Sequence, residues 1–214
     1  MLAKKGYPGK YYASQDTCKL LPLALEDCGR ILESAAEGKN ENPIYGESEI
    51  CNVISHLQAI TMGEQFQPHE NVTVTAIQNN HLIGAVSYLV QISYEGFENI
   101  NIFFTGDLKE NNLFLEDTSV PKWIRELPVT LITESTYGDT KTLGQPVFKR
   151  NVARAINKGG NVIIPVFSLG RVQEILFTLR EMQREGLLDP RIPIYLDGKL
   201  AIAYTKMFLN GSLS

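Results

Sequence analysis

Two different spacings of apolar residues divide the chain into helices and strands. Over residues 14–37 the apolar positions recur at helical intervals, which predicts a helix with one buried face. Ser14 and Asp16 stand at the start of that run and are suited to cap it. Pro22 interrupts the pattern and is expected in the first turn, where its missing N–H costs nothing. A second, weaker helix is predicted after Glu47.

From Asn71 the pattern changes to short runs rich in Val, Ile, Tyr and Phe, which favour β-strands. The strands predicted in this way cover residues 72–77, 85–94, 100–104 and 129–133. The turn-rich residues 94–99 indicate a hairpin connection between two of them. His56 and His69 lie in a stretch without either spacing, and we expect both on the surface.

After Gly138 helical and strand-like segments alternate. The predicted segments are helices over 145–157, 172–182 and 200–208 and near-continuous apolar strands over 161–167 and 192–197. A strand–helix–strand order implies parallel strands that are joined by right-handed crossovers. The sequence therefore predicts an α/β protein.

Composition and charge narrow the possible functions. The chain has 214 residues, a formal net charge of −4 and three cysteines, none in a CxxC pair. The cysteines favour a reducing, cytoplasmic location. No apolar run approaches the length of a membrane span, and the N-terminus does not resemble a signal peptide. The net charge gives no global attraction to nucleic acid. The basic residues within 141–158 could form a local basic groove, but a solvated helix face is the better interpretation of them.

Three polar residues follow predicted strands, where α/β proteins usually place their chemistry. His81 follows the strand over 72–77, Asp107 ends the run that begins at Ile102, and Glu134 ends the strand over 129–133. Imidazole and carboxylate groups suit zinc, so His81 and Asp107 are candidate metal ligands. A turn histidine bonded to backbone and a capping carboxylate are the alternatives. Glu134 is expected at the end of a buried strand, where a carboxylate needs a partner.

Two further residues are candidates for substrate binding. Arg171 follows Gly170 at the start of a predicted helix, where backbone N–H groups and a guanidinium suit a phosphate. An ion pair between Arg171 and Glu174 is an equally good interpretation. Ser135 follows Glu134 in the run that ends at Gly138. Hydrogen bonding of Ser135 to the local backbone is the alternative there.

In chain order these segments resemble motifs of the metallo-β-lactamase superfamily, and in particular its β-CASP branch of nucleic-acid-processing hydrolases. The matching segments are Asn80–Gly84, Thr105–Asp107, Glu134–Gly138 and Ile164–Glu174. The resemblance implies an incomplete αββα sandwich over residues 1–137 and the start of a parallel-sheet β-CASP domain over 138–214. It also implies a two-zinc phosphodiesterase in which His81 binds one zinc and Asp107 bridges both. Glu134 would be a catalytic residue that orients a proton-donating histidine, and Ser135 and Arg171 would contact the substrate.

Parts of the family pattern are missing from this sequence. The His-x-His-x-Asp-His motif, which supplies most of the zinc ligands, is absent, and no histidine follows His81. Because each zinc needs about four ligands, we expect the chain to be the central part of a longer enzyme and to be inactive by itself. Asn80 stands where the family usually has glycine, and we expect it to tolerate the positive φ of that turn. Exposed sheet edges would favour self-association.

RNA is the expected partner, with DNA left open and no membrane involved. Two other functions also remain open at this point. One is a non-catalytic interaction protein that keeps the fold, and the other is a different hydrolase of the metallo-β-lactamase fold. Glu134 and the Gly170–Arg171 helix start argue against the latter, because small-molecule hydrolases of this fold are not expected to carry them.

Overall fold

A computed structural model of the chain describes residues 2–109, 112–116, 119–140 and 144–213. The chain divides into two compact units, the first ending at Glu134 and the second comprising Ser135–Ser212. Helices and sheets occur together, so the predicted α/β class is confirmed. No helix within the described ranges is long and apolar enough to span a membrane. The assignment of residues 1–137 and 138–214 to the two named domains stays a prediction.

The first unit contains two sheets. The smaller pairs β1 (Tyr11–Ser14) in parallel with β2 (Leu57–Ile60). The larger has the order β3-β4-β5-β6-β7, in which β6 and β7 are parallel and all other neighbours are antiparallel. Its strands are β3 (Gln65–His69), β4 (Val72–Gln78), β5 (Val86–Ile92), β6 (Ile100–Phe104) and β7 (Thr130–Ile132). The four strands predicted from residue 72 onward are thus confirmed, whereas β1, β2 and β3 were not predicted.

Two helices precede the larger sheet, as predicted. Helix α1 (Gln15–Glu37) begins after Ser14, whose Oγ accepts a hydrogen bond of 3.2 Å from the Thr17 N–H. Pro22 lies inside α1 and not in its first turn, so the expectation for this residue was wrong. Its ring removes one backbone hydrogen bond, while the helix continues past it with Leu20, Gly29 and Ala36 buried. Helix α2 (Glu47–Ser55) packs against α1 so closely that a Cβ on Gly29 would lie 2.7 Å from Ile50 Cδ1.

The core of the larger sheet is centred on Leu89. In the strand register Leu89 faces Thr75 on one side and Phe103 on the other. Leu89 packs with Ile77, Phe103 and Ile124, the last from the short helix α3 (Lys122–Arg125). Successive residues of a strand point to opposite faces of the sheet, so this register decides which side chains α3 covers.

The described part of the second unit contains three helices that match the predicted ones. They are α4 (Gln145–Asn157), α5 (Arg171–Arg184) and α6 (Lys199–Leu209). Their core comprises four buried residues, namely Val152, Leu179, Met182 and Leu188. Two side-chain hydrogen bonds join α5 to its neighbours: Gln145 Nε2 donates to Thr178 Oγ1 at 2.9 Å, and Gln173 Nε2 donates to Thr205 Oγ1 at 3.0 Å.

The strands expected over 161–167 and 192–197 are not formed as paired strands. No strand pairing occurs in the described part of the second unit. Ile163 and Tyr195 are 91% and 87% exposed. A parallel strand is held by hydrogen bonds to neighbouring strands, and the described residues of this unit supply none. The apolar character that the pattern detected is present, but the parallel pairing inferred from it is not.

The packing around Leu89 allows a prediction of how a core substitution changes the free energy of unfolding. We expect Leu89→Ala to lower the free energy of unfolding of the first unit by about 2–5 kcal/mol, because truncation in a packed core leaves a cavity. Urea titration followed by the fluorescence of Trp123, the only tryptophan and a residue of α3, measures this. Leu131→Ala is the control: Leu131 lies on the same sheet but is 58% exposed. Equal losses in both variants would contradict this core.

Candidate metal centre

The candidate ligands His81 and Asp107 lie close together at one edge of the larger sheet. Because β4 and β6 both pair antiparallel with β5, they run in the same direction, and β7 runs parallel to β6. Their carboxyl ends therefore share an edge, and His81, Asp107 and Glu134 follow those three ends. His81 Nε2 lies 3.7 Å from Asp107 Oδ2. The side chains are 36% and 73% exposed, so both donors are accessible from solvent.

The turn that carries His81 is shaped by Asn79. The Asn79 Oδ1 accepts a hydrogen bond of 3.2 Å from the His81 N–H, which closes an Asx turn. The Asn79 Nδ2 donates to the buried carbonyl of Thr105 at 3.1 Å. One buried amide therefore joins the end of β4 to the segment that leads to Asp107. Sequence reasoning missed Asn79, although Asn79 and Asn80 directly before His81 were a turn signal.

Asn112 holds the same turn from a different loop. Its Nδ2 donates to the Asn80 carbonyl at 3.0 Å, while its Oδ1 accepts from the Phe114 N–H at 2.9 Å. The expectation that Asn80 adopts a positive φ was wrong: among the described residues other than glycine, Asn40 alone has one. The turn thus accommodates asparagine in place of the family's glycine without left-handed backbone.

The turn that carries Asp107 is fixed by Gly106 and Glu134. Gly106 has a φ of +63°, and a Cβ there would lie 3.3 Å from the Val86 carbonyl oxygen. The Leu108 N–H donates to Glu134 Oε1 at 2.6 Å. The carboxylate of Glu134 therefore binds the residue directly after Asp107 and ties the ends of β6 and β7 together.

The surroundings of Glu134 differ from the expectation. All residues of β7 are exposed, so the prediction of a buried strand before Glu134 was wrong. The reason is that β7 lies at the edge of its sheet. The observed hydrogen bond to Leu108 shows a partner for the carboxylate, while its predicted catalytic role with a histidine stays a prediction.

The two candidate substrate-binding residues belong to the second unit. The Ser135 carbonyl accepts a hydrogen bond of 3.0 Å from the Gly138 N–H, while the alternative of side-chain bonding to the local backbone stays a prediction. Arg171 begins α5, and its Nη1 lies 2.9 Å from Oε2 of the buried Glu174. The ion pair left open by the sequence is therefore formed. Contacts of Ser135 and Arg171 with a substrate stay predictions.

The donor set of His81 and Asp107 fits part of a metal site. Imidazole nitrogen and carboxylate oxygen are both zinc donors, and here they converge. No cluster of three or more histidine, cysteine, aspartate or glutamate residues suited to a metal occurs in the part of the chain that the structure describes. The two residues thus fit as two ligands, and a complete site needs further donors.

Comparisons with known proteins agree with these motifs. Endoribonuclease YSH1 of Gibberella zeae is 29% identical over 208 residues, which cover 94% of this chain and 24% of that protein. The Integrator complex subunit 11 homolog of Dictyostelium discoideum is 29% identical over 213 residues, covering 96% and 27%. Transcription termination factor FttA of Methanosarcina mazei is 30% identical over 207 residues, covering 94% and 31%. The chain thus spans about a quarter to a third of the length of the curated relatives it matches.

Two other comparisons add little. No family model matches the chain. Among solved structures, Rm3 metallo-beta-lactamase aligns with 69% of this chain and 54% of its own, at 16% identity and a TM-score of 0.24.

The class of protein follows from the site and from these relatives together. Polar residues at the ends of β4, β6 and β7 carry the motifs, and the sequence similarity extends over nearly the whole chain. The resemblance to the β-CASP branch of the metallo-β-lactamase superfamily, which the motifs predict, is therefore confirmed.

The hydrogen bonds of Asn79 can be tested directly. We expect Asn79→Ala to lower the free energy of unfolding by about 1–3 kcal/mol, because it removes two hydrogen bonds and leaves the His81 N–H without this acceptor. The amide signal of His81 in a ¹⁵N–¹H spectrum should move at the same time. Asn99→Ala, in the exposed hairpin turn, should change stability by less than about 0.5 kcal/mol. An unmoved His81 signal in Asn79→Ala would contradict the role of Asn79.

Proposed function

We propose that the chain forms part of a zinc-dependent phosphodiesterase that hydrolyses RNA. The proposal rests on one observation. His81 Nε2 and Asp107 Oδ2 lie 3.7 Å apart beyond the carboxyl ends of β4 and β6, and Glu134 follows the neighbouring end of β7. RNA as the substrate is supported by the similarity to the Gibberella zeae relative, which is an endoribonuclease.

The residues of this chain would have different roles at such a centre. When bound, zinc supplies Lewis-acid catalysis for phosphodiester hydrolysis. His81 would hold it through a ring nitrogen and Asp107 through its carboxylate, which by the resemblance would serve both ions. Glu134 would keep the Asp107 turn in place through the Leu108 N–H, in addition to its proposed role with a histidine. Because two ligands are fewer than zinc requires, we propose that the isolated chain binds it weakly and is inactive.

The second unit would contribute to substrate binding. The guanidinium of Arg171 pairs with Glu174 yet remains exposed, which leaves donors for a backbone phosphate of the RNA. Ser135 is exposed beside Glu134 along the chain. Both assignments rest on the resemblance to the β-CASP motifs and on this exposure.

A non-catalytic interaction protein is the second candidate function. It is favoured by one observation: within the described ranges no third histidine, cysteine, aspartate or glutamate joins His81 and Asp107. The same fold would then present its surface to a partner without cleaving it.

Self-association and cellular location are also proposals. The exposed apolar side chains of Ile163 and Tyr195 lie on extended segments that lack strand partners, which supports association between copies. Light scattering of the purified chain tests this, and a monodisperse monomer would contradict it. The three free cysteines support a reducing cytoplasmic location.

Zinc titration tests the ligand assignment. We expect the 214-residue chain to bind zinc weakly in calorimetry, and His81→Ala and Asp107→Ala each to abolish measurable binding because each removes one of two donors. His69→Ala is the matched control, since this exposed histidine lies on β3 and should leave binding unchanged. Two tightly held zinc ions per chain would refute the proposed partial site.

A nuclease assay on the full-length gene product tests the activity. We expect cleavage of single-stranded RNA that a chelator abolishes and added zinc restores. Asp107→Ala should reduce cleavage to background, whereas Glu126→Ala, at an exposed surface ion pair, should retain it. Metal binding without cleavage of RNA or DNA would favour the interaction protein.

A further inference from the structure

The turn that carries His81 is hydrogen-bonded to residues at the start of α1. The Ser14 Oγ donates a hydrogen bond of 2.6 Å to the Gly84 carbonyl, and the Thr17 Oγ1 donates one of 3.0 Å to the same oxygen. Ser14 is only 1% exposed, so water does not compete for this contact. Two hydroxyl groups thus converge on one carbonyl that is three residues after His81.

Gly84 is the residue that permits this approach. Its φ is +82°, and a Cβ there would lie 2.9 Å from both the backbone N and the Oγ1 of Thr17. A side chain would therefore push the carbonyl away from the two hydroxyls. The geometry requires glycine for two independent reasons, left-handed backbone and lack of space.

Backbone hydrogen bonds link the residues around Gly84 to the turn that carries His81. The Ala85 N–H donates to the Leu82 carbonyl at 3.0 Å, and the Asn79 N–H donates to the Ala85 carbonyl at 3.2 Å. These bonds close the turn from Asn79 to Ala85 into one unit. A displacement of Gly84 would therefore displace the His81 backbone as well.

Capping of α1 does not account for these contacts. As a cap, Ser14 needs only an oxygen that accepts from the Thr17 N–H. The Ser14 and Thr17 hydroxyl oxygens also lie 2.9 Å from each other at the cap, but the contacts that both make with the Gly84 carbonyl are additional to that function. Both reach a residue almost 70 positions away in the sequence.

We propose that Ser14 and Thr17 are positioning residues for the metal centre, which hold His81 toward Asp107 by binding the Gly84 carbonyl. The proposal rests on the proposed function, in which His81 and Asp107 bind metal. The His81 ring is partly exposed, so packing alone does not fix its position. Asn79 and Asn112 hold the middle of the turn, and the two hydroxyls hold its far end.

An isosteric pair of variants isolates the hydroxyl. Thr17→Val keeps the shape of the side chain and loses the donor, and Thr17→Ser keeps the donor. We expect the double variant Ser14→Ala/Thr17→Val to weaken zinc binding by about 10- to 100-fold, as loss of supporting hydrogen bonds does at other metal sites. Thr17→Val should show a smaller loss, and Thr17→Ser should restore binding. The full-length protein is titrated with zinc by calorimetry.

A second readout and a control separate positioning from stability. The ring signals of His81 in the metal-free protein should shift in Thr17→Val and return in Thr17→Ser. Leu89→Ala, which destabilises the same unit from its core, should leave zinc affinity unchanged under folding conditions. Unchanged zinc affinity and unchanged ring signals in the double variant would overturn the proposal, as would an equal loss of affinity in Leu89→Ala.

Failure of the proposed function would be recognised separately. Unmodified protein that binds no zinc would refute the metal centre itself. The ring signals of His81 then decide the positioning role alone: a shift in Thr17→Val that Thr17→Ser reverses supports it, and no shift overturns it.

Discussion

The hydrogen-bond pairing of β5 with its two neighbours is the constraint on which the candidate site depends. Since β4 and β6 both run antiparallel to β5, their carboxyl ends lie at the same edge, and the parallel β7 adds a third. A shift of one residue in this register would exchange the two faces of a strand. Leu89 would then leave the core, and the turns after β4 and β6 would no longer face each other. Packing of Leu89 and convergence of His81 with Asp107 are thus consequences of one register.

The register brings the turns together, but hydrogen-bonded polar groups, some of them buried, define their shape. Asn79 connects the His81 turn to the Thr105 carbonyl, Glu134 binds the Leu108 N–H, and Ser14 with Thr17 binds Gly84. Each hydrogen bond contributes only about 0.5–1.5 kcal/mol, yet a buried carbonyl left without a donor costs more. These bonds therefore favour one turn conformation strongly. Backbone freedom at Gly84 and Gly106 makes that conformation accessible.

The features that the sequence could predict are those that depend on residues close together along the chain. Periodic apolar positions depend on neighbours within a few residues, and they correctly predicted α1, α4 and β4 to β7 together with the polar residues at the strand ends. Strand pairing and side-chain contacts depend on distant residues. The short β3, which contains Pro68, was therefore not predicted. The apolar segment over 161–167 was wrongly predicted to pair as a strand. The bond from Ser14 to Gly84 spans 70 positions, and no local pattern could have indicated it.

The exposure of His81 and Asp107 bears on why they lie together. Pairs of exposed groups contribute little to stability, because water and salt screen them and holding two side chains costs entropy. The attraction between these two residues therefore cannot explain their convergence. Their positions come instead from hydrogen bonds to each turn, made by Asn79, Ser14 and Glu134. A fold that fixes two accessible donors through hydrogen bonds made by other residues keeps both donors available to a ligand. The same arrangement would be unnecessary if the pair served only to stabilise the sheet edge.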